Sequence, residues 1–353
     1  MLPPVVTILS PEPNATVIYG PVTVRYQVRT VAGAPVTGVR VRVNGLANDA
    51  RSLAVRGAGD VREIAVDIPP EDSEILLFAE SRHGISAPAS VRINWRGKTI
   101  PRTEAKPVLY VLSIGVSKYD NASYSLSYPA KDARDFVATV QKQKGRLYGD
   151  VVARVLTDRD ASSAGVIEGF NWLQQQVTAR DVGMVFIAGH GVNDDRVRYF
   201  FLPSNVDLDR LDATGVPFSA IRSQLAKLRG KGLLFVDTCH SGNVMGGRLG
   251  YSIDVNGMIN DLSSAEYGLV VLASSTGKQV SMESSDWGNG AFTKALVEGL
   301  NGEADLKKRG RITHKMLDFY VSDRVDELTR GQQTPVNPSP QGVPDYPIAL
   351  VGI

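Results

Sequence analysis

The change in hydrophobic periodicity near residue 100 constrains the fold of this chain more than any other feature. Before it, apolar and polar residues alternate over short runs, such as VTVRYQV at 22–28 and VREIAVDI at 61–68. Turn-forming Pro, Gly, Asn and Asp separate these runs at spacings typical of an antiparallel β-sandwich. We therefore predict an all-β sandwich domain of five to seven strands over residues 1–100.

After Pro107 the chain alternates apolar strands with helical patterns. VLYVLSIGV at 108–116 is almost continuously apolar, and apolar residues recur at helical spacing over 129–143. Strands that are apolar on both faces and joined by helices indicate a mostly parallel α/β sheet. We predict such a domain over residues 106–353, with the terminal PIALV at 347–351 adding an edge strand.

Composition excludes several classes of protein. Lys and Arg number 39 against 37 Asp and Glu, so a net charge of +2 gives no overall attraction to nucleic acid. No apolar run approaches the ~18 residues of a membrane span, and the N-terminus lacks a signal-peptide pattern. We predict no nucleic-acid partner, no membrane association and a cytoplasmic location. The single cysteine, Cys239, excludes an intrachain disulfide framework and a multi-cysteine zinc site.

That cysteine and a histidine both follow predicted strands. GMVFIAG at 183–189 leads into His190 and Gly191, and GLLFVD at 232–237 leads into Thr238 and Cys239. Catalytic groups of open α/β sheets collect at the carboxyl ends of the strands. We therefore predict that His190 and Cys239 face each other.

The motifs VFIAGHGVN at 185–193 and LLFVDTCHSGN at 233–243 resemble those of the caspase-like cysteine peptidases, in which the histidine lies about 50 residues upstream of the cysteine. The D-T-C-H-S-G form is similar to the metacaspase and bacterial caspase-homologue branch. Residues 126–136 and 272–302 extend the resemblance, so that it covers about residues 106–350. The N-terminal sandwich lies outside it and looks immunoglobulin-like.

The resemblance implies a cysteine endopeptidase that acts on protein or peptide substrates. Cys239 would be the nucleophile and His190 its partner, since a histidine stabilises a thiolate and protonates the departing amine. The backbone N–H groups of Gly191 and Cys239 are the donors that the family implies for the oxyanion. We also expect glycine at 191 to let the backbone approach substrate closely.

The resemblance also implies a pocket for an arginine or lysine before the scissile bond. Asp237 would line it, because a carboxylate pairs well with a guanidinium; its alternative role is a strand-end cap. Asp132 is a second candidate, although a helix N-terminus by itself favours an aspartate there. Three further residues of the matching region are expected to shape the same pocket: Ser274, Gln279 and Glu283.

Cofactors and processing are predicted from two loops. Loop 193–212 holds five aspartates but lacks the Gly and Glu of an EF-hand, so we interpret it as a solvated acidic loop and predict no metal site, with calcium dependence left open. Segment 243–268 contains one basic residue, Arg248, which is the candidate site of self-processing. The alternative is that this segment is an uncut lid.

Two other functions are consistent with the sequence. One is a latent caspase-homologous module that acts only through a partner, and an activating protein could bind through residues 1–100. The other is a recognition protein in which the β-sandwich is the functional part and the α/β domain a scaffold. The presence of both His190 and Cys239 favours the peptidase.

Overall fold

The computed structural model describes residues 2–30, 35–48, 51–53, 61–97, 105–194, 196, 198–240, 268–275, 281–338 and 343–352, with the backbone alone at 51–53, 239 and 240. The chain divides into two compact units. Unit 1 comprises residues 1–104, 264–268 and 340–344, and unit 2 comprises residues 105–263, 269–339 and 345–353.

Unit 1 is all-β. One sheet has the order β1-β3-β7-β6 and the other β2-β10-β8-β4-β5, with β9 paired to β8. Apolar side chains of both sheets, such as Val24, Val66, Ile75 and Leu77, form a shared core that is closed to solvent. Its strands are β1 (Val5–Ser10), β2 (Ala15–Val17), β3 (Val22–Arg29), β4 (Val36–Val43), β5 (Leu46–Asn48), β6 (Arg51–Leu53), β7 (Val61–Val66), β8 (Ser73–Ser81), β9 (Gly84–Ile85) and β10 (Ala89–Trp95). The described part of unit 1 thus has more strands than the five to seven predicted, because four of them are only two or three residues long.

Unit 2 is built on five parallel strands in the order β12-β11-β13-β16-β17. These strands are β11 (Val108–Gly115), β12 (Asp150–Thr157), β13 (Val182–Asn193), β16 (Lys231–His240) and β17 (Leu269–Ala273). The short strands β14 (Tyr199–Phe201) and β15 (Val216–Pro217) extend the sheet in antiparallel pairing from the end of β13. A hairpin of β18 (Glu283–Ser284) and β19 (Asn289–Gly290) follows β17.

Helices flank this sheet. They are α1 (Pro129–Gln141), α2 (Ser163–Gln176), α3 (Leu211–Thr214), α4 (Phe218–Leu225), α5 (Ala291–Glu298) and α6 (His314–Thr329). Pro129 fits the first position of α1 because its missing N–H is one that a helix start leaves unpaired. The buried face of α1 places Phe136 against Phe186 of β13 and Phe235 of β16, with ring centroids 5.0 and 5.2 Å apart. The predictions of a mostly parallel sheet with flanking helices and of an all-β N-terminal region are confirmed.

The C-terminal strand differs from its prediction. β21 (Pro347–Leu350) pairs with β20 (Arg311–Thr313) in a separate two-stranded sheet and is not an edge strand of the main sheet. Val336 occupies the edge position instead, through a bridge to Ala273 of β17. In the part of the chain that the structure describes, no helix is long and apolar enough to cross a membrane.

Candidate active site

His190 and Cys239 lie beside each other on neighbouring strands. β13 and β16 are parallel, and their register pairs the backbone of His190 with that of Cys239. Both residues lie within these strands, whereas the sequence had predicted that they follow the strand ends. β13 continues to Asn193 by pairing with β14, and β16 continues to His240. The Cys239 side chain lies outside the described part of the structure.

The His190 ring is buried and held by a backbone carbonyl. His190 is 2% exposed, and its Nε2 lies 2.8 Å from the carbonyl oxygen of Tyr124. Because a carbonyl only accepts, Nε2 carries the proton and Nδ1 presents its lone pair. Nδ1 is also buried and has no hydrogen-bond partner among the described residues. The neutral ring is therefore prepared to accept a proton at Nδ1.

A loop after β11 positions this histidine. The Tyr119 hydroxyl accepts a hydrogen bond from the His190 N–H at 3.0 Å, and the two ring centroids lie 5.3 Å apart. Gly189 precedes the histidine at φ +146°, a conformation that side-chain-bearing residues rarely adopt. Burial lowers the pKa of His190, and its hydrogen bond to Tyr124 partly opposes that shift. Tyr119 and Tyr124 were not found from the sequence. The feature that could have indicated them is the stretch of aromatic and polar residues that follows β11.

Gly191 has a packing role that the sequence did not indicate. A Cβ at this position would lie 1.8 Å from the Tyr199 hydroxyl oxygen. That hydroxyl is buried and 2.7 Å from Oγ1 of Thr238 on β16. Glycine at 191 therefore makes room for Tyr199, so close approach to substrate is not needed to explain it. The assignment of oxyanion donors to the backbones of Gly191 and Cys239 stays a prediction.

Three carboxylates line one small cavity beside these strand ends. Asp132 of α1, Asp237 of β16 and Glu283 of β18 surround it together with Ala188, which is two residues before His190. The cavity measures about 10 Å³, which is roughly the space of one water molecule. The tertiary structure thus brings together three of the five residues predicted for a pocket that binds a basic side chain.

Asp237 is buried in a set of hydroxyl donors. Thr293 of α5 donates to its Oδ2 at 3.1 Å, and the side chains of Ser274 and Ser281 also hydrogen-bond to the carboxylate. Ser274 and Ser281 lie 2.5 Å apart through their hydroxyl oxygens. Burial raises the pKa of Asp237, and these hydrogen bonds oppose that shift. Ser274 therefore holds Asp237 beside the cavity, and its part in a substrate pocket stays a prediction.

Asp132 is held by the β19 strand. Asn289 donates to its Oδ1 at 2.7 Å and the Gly290 N–H to its Oδ2 at 3.2 Å. Burial raises the pKa of Asp132 to about 8, and the charge of Asp237 adds to that effect. A solvated helix N-terminus would lower this pKa, so the helix does not by itself explain the aspartate. Asn289 also donates to Asp135 at 2.8 Å and was not found from the sequence.

Glu283 completes the cluster from the hairpin side. Its Oε2 accepts the N–H of Ser127 at 3.2 Å, and burial followed by the charge of Asp237 raises its pKa. Two other predicted residues, Gln279 and Arg248, lie outside the described residues.

Gln333 joins the two chain segments that flank this pocket. The side chain is fully buried; its Nε2 donates to the carbonyl of Ser274 at 2.8 Å and its Oε1 accepts the N–H of Met282 at 2.7 Å. It thereby connects the end of β17 with the residues that lead into β18. A single polar residue in a Pro-rich tail gave no sequence signal for this role.

Part of the acidic loop at 193–212 is buried, whereas the sequence had predicted a solvated loop. Asp194 is buried, and its Oδ2 accepts a hydrogen bond from Nε of Arg198 at 2.7 Å. Nη2 of the same arginine donates to Oδ1 of Asp212 at 2.6 Å. Asp207 caps a short helical turn by accepting the N–H of Asp209. Asp195 lies outside the described residues. Among the described residues, no group of three or more His, Cys, Asp or Glu side chains is placed to hold a metal ion.

Comparison with known proteins identifies the family. The chain matches the Caspase domain family over residues 109–341. It is similar to the crystal structure of protein GSU0716 from Geobacter sulfurreducens, with 17% identity and a TM-score of 0.48 over 70% of this chain and 100% of that one. A search of curated proteins finds no match. Since the match spans the strands that carry His190 and Cys239, this chain belongs to the caspase-domain family.

Proposed function

We propose that this chain is a cysteine endopeptidase that cleaves peptide bonds after arginine or lysine. The observation that carries the proposal is the cavity lined by Asp132, Asp237 and Glu283, which lies beside the strand ends of His190 and Cys239. Three acidic groups around one cavity favour a cationic side chain and repel an anionic one. The caspase-domain match supports the reaction class.

The proposed reaction uses His190 as the proton carrier. The Cys239 thiol transfers its proton to Nδ1 of His190, and the thiolate attacks the scissile carbonyl. The resulting imidazolium protonates the leaving amine as the C–N bond breaks, which leaves a thioester on Cys239. Water then hydrolyses the thioester and regenerates the thiol. The Tyr124 carbonyl keeps the proton of Nε2 in place throughout.

The pocket as it stands has room for about one water molecule and not for a guanidinium group. Substrate binding therefore requires the cavity to widen, and the incoming cation replaces the proton that Asp132 holds near neutral pH. The narrow cavity also favours a second candidate, a latent peptidase whose pocket opens only when an activating protein binds. The predicted place for that protein is the segment 1–100.

The test uses fluorogenic peptides that differ only in the residue before the scissile bond: Arg, Lys, Asp or Ala. We expect cleavage of the Arg and Lys peptides alone, and loss of cleavage in Cys239→Ala and in His190→Ala. An arginyl acyloxymethylketone should add its mass to Cys239 in the wild type. Preference for the Asp peptide, or wild-type turnover in Cys239→Ala, would refute the proposal. Labelling that appears only after a partner is added would identify the latent form.

A further inference from the structure

A second, larger cavity lies in unit 2, away from the candidate active site. It has a volume of about 320 Å³ and is formed by the turn after α5, by β20 and by the start of α6. α5 begins beside the carboxylate cluster at Gly290 and leads away from it, whereas Gln333, which follows α6, returns to Ser274. Sixteen residues of α6 span about 24 Å, so the two cavities lie at opposite ends of that helix.

The walls of this cavity are apolar and open to solvent. Leu306 is 63% exposed, Phe319 is 64% exposed, and Met316 lines the cavity with them. Among the described residues of unit 2, Val152 is the only other large apolar side chain in this exposed class. Two such side chains at one cavity, close to a methionine, form an apolar patch of the kind that marks an interaction site.

The rim of the cavity is strongly basic. The lining includes four exposed cationic residues, Lys307, Arg309, Arg311 and Lys315, and one acid, Asp345. Within the described part of the chain, none of the four cationic side chains forms an ion pair. Asp345 is engaged by the Lys315 N–H at 3.3 Å and lies 3.5 Å from Nε2 of His314. Four cationic side chains against one acid form a local concentration of positive charge that the net charge of +2 for the whole chain does not indicate.

We propose that this cavity is a docking groove for an acidic peptide segment of a partner protein, anchored by an aromatic or leucine side chain. The carboxylates of the segment would meet the basic rim, and its apolar anchor would occupy the space between Leu306, Met316 and Phe319. The volume lies at the lower end of the range for ligand pockets, which suits one or two anchoring side chains. A concave apolar floor fits an inserted side chain better than it fits a flat membrane surface or a phosphate backbone. The proposal does not depend on peptidase activity.

The test is selection from a phage-displayed library of random dodecapeptides on the full-length protein. We expect enriched peptides to combine several Asp or Glu with Phe, Trp or Leu. In the variant Lys307→Glu/Arg309→Glu/Arg311→Glu, synthetic versions of those peptides should bind at least 10-fold more weakly. Leu306→Ser/Phe319→Ser should weaken binding comparably without changing the charge. Raising NaCl from 50 to 500 mM should also weaken it.

A matched control places the same charge change elsewhere, on the exposed residues Arg180, Arg210 and Lys227. Arg180→Glu/Arg210→Glu/Lys227→Glu should retain wild-type affinity within about twofold. Enriched peptides without acidic residues, or equal affinity in both triple variants, would overturn the proposal. So would capture of anionic vesicles or duplex DNA by the groove when no peptide is enriched.

Discussion

At the scale of single residues, the carboxyl groups of Asp132 and Asp237 line the same small cavity. Burial and the neighbouring carboxylate raise the pKa of Asp132 to about 8, so this group is mainly protonated at neutral pH. Burial also raises the pKa of Asp237, although hydrogen bonds from Ser274, Thr293 and Ser281 oppose that shift. The two carboxylates therefore differ in their hydrogen-bond partners, and each gives its own prediction.

Asp237→Asn removes the carboxylate that would pair with an arginine in the proposed pocket while keeping the size of the side chain. We expect kcat/KM for arginyl peptides to fall roughly 30- to 4,000-fold, because a desolvated cation would lose its partner. This corresponds to a loss of about 2–5 kcal/mol of transition-state stabilisation. The control is Asp286→Asn, which changes an exposed carboxylate of the neighbouring turn. If Asp237→Asn keeps the preference for arginyl peptides, Asp237 is not the partner of the substrate cation.

Asp132→Asn tests the raised pKa through stability. The folded protein keeps the Asp132 proton up to about pH 8, whereas the unfolded chain releases it near pH 3.9. The contribution of Asp132 to the free energy of unfolding of the wild type is therefore fully present below pH 3.9 and is lost as the pH rises towards 8. We expect the Tm of Asp132→Asn relative to wild type to increase between pH 5 and pH 8, by at least about 2–4 °C. A Tm difference that does not change with pH would contradict the assignment.

At the scale of elements, the pocket depends on pieces that are far apart in sequence. The start of α1, the end of β16, the β18–β19 hairpin and the first turn of α5 each supply one wall or one hydrogen-bond donor. Gln333 connects two of these pieces with a buried side chain amide. An amide in this position is sensitive to substitution because it is buried and both of its partners are backbone groups.

Gln333→Leu keeps most of the side-chain volume and leaves the Ser274 carbonyl and the Met282 N–H unpaired. Each buried unpaired group costs about 1–3 kcal/mol, so thermal unfolding should shift several degrees lower. If the proposed function holds, KM for arginyl peptides should also rise, because Asp237 is held through Ser274 and Ser281. Gln332→Leu, at the exposed adjacent position, should change neither quantity. Equal Tm values for the two variants would show that the hydrogen bonds of Gln333 to Ser274 and Met282 do not contribute to stability.

At the scale of the whole molecule, the proposed specificity has a consequence for the chain itself. Segment 243–268 joins β16 to β17 and has Arg248 as its single basic residue. A connection of this length without helical periodicity is commonly functional. A peptidase that cuts after arginine would encounter Arg248 close in sequence to its own nucleophile.

We predict that purified active protein separates into fragments that end at Arg248 and begin at Leu249, as intact-mass spectrometry would detect. The fragments should be absent from Cys239→Ala, since that variant lacks the nucleophile, and from Arg248→Ala. If Arg248→Ala is nevertheless fully active on peptides, cleavage is not the activating step and the segment acts as an uncut lid.

The sequence by itself determined the two fold classes, because hydrophobic period is a local property of consecutive residues. It also predicted that His190 and Cys239 lie close together at neighbouring strand ends, since each comes directly after a short apolar run; the register of β13 and β16 shows their backbone pairing. It did not determine that β13 extends to Asn193, because that extension depends on β14, which is recruited from a separate segment.

Only the tertiary structure revealed the hydrogen bonds that orient and hold these groups. The Tyr124 carbonyl that fixes His190 lies 66 positions away, and Asn289 reaches Asp132 across 157 positions. The docking groove likewise depends on how the turn after α5 and the helix α6 bring Leu306 and Phe319 to the same cavity. A local pattern records which face of an element is buried, but a hydrogen bond between distant residues depends on how the elements pack. Packing is a property of the whole unit, and for that reason it is absent from any short stretch of sequence.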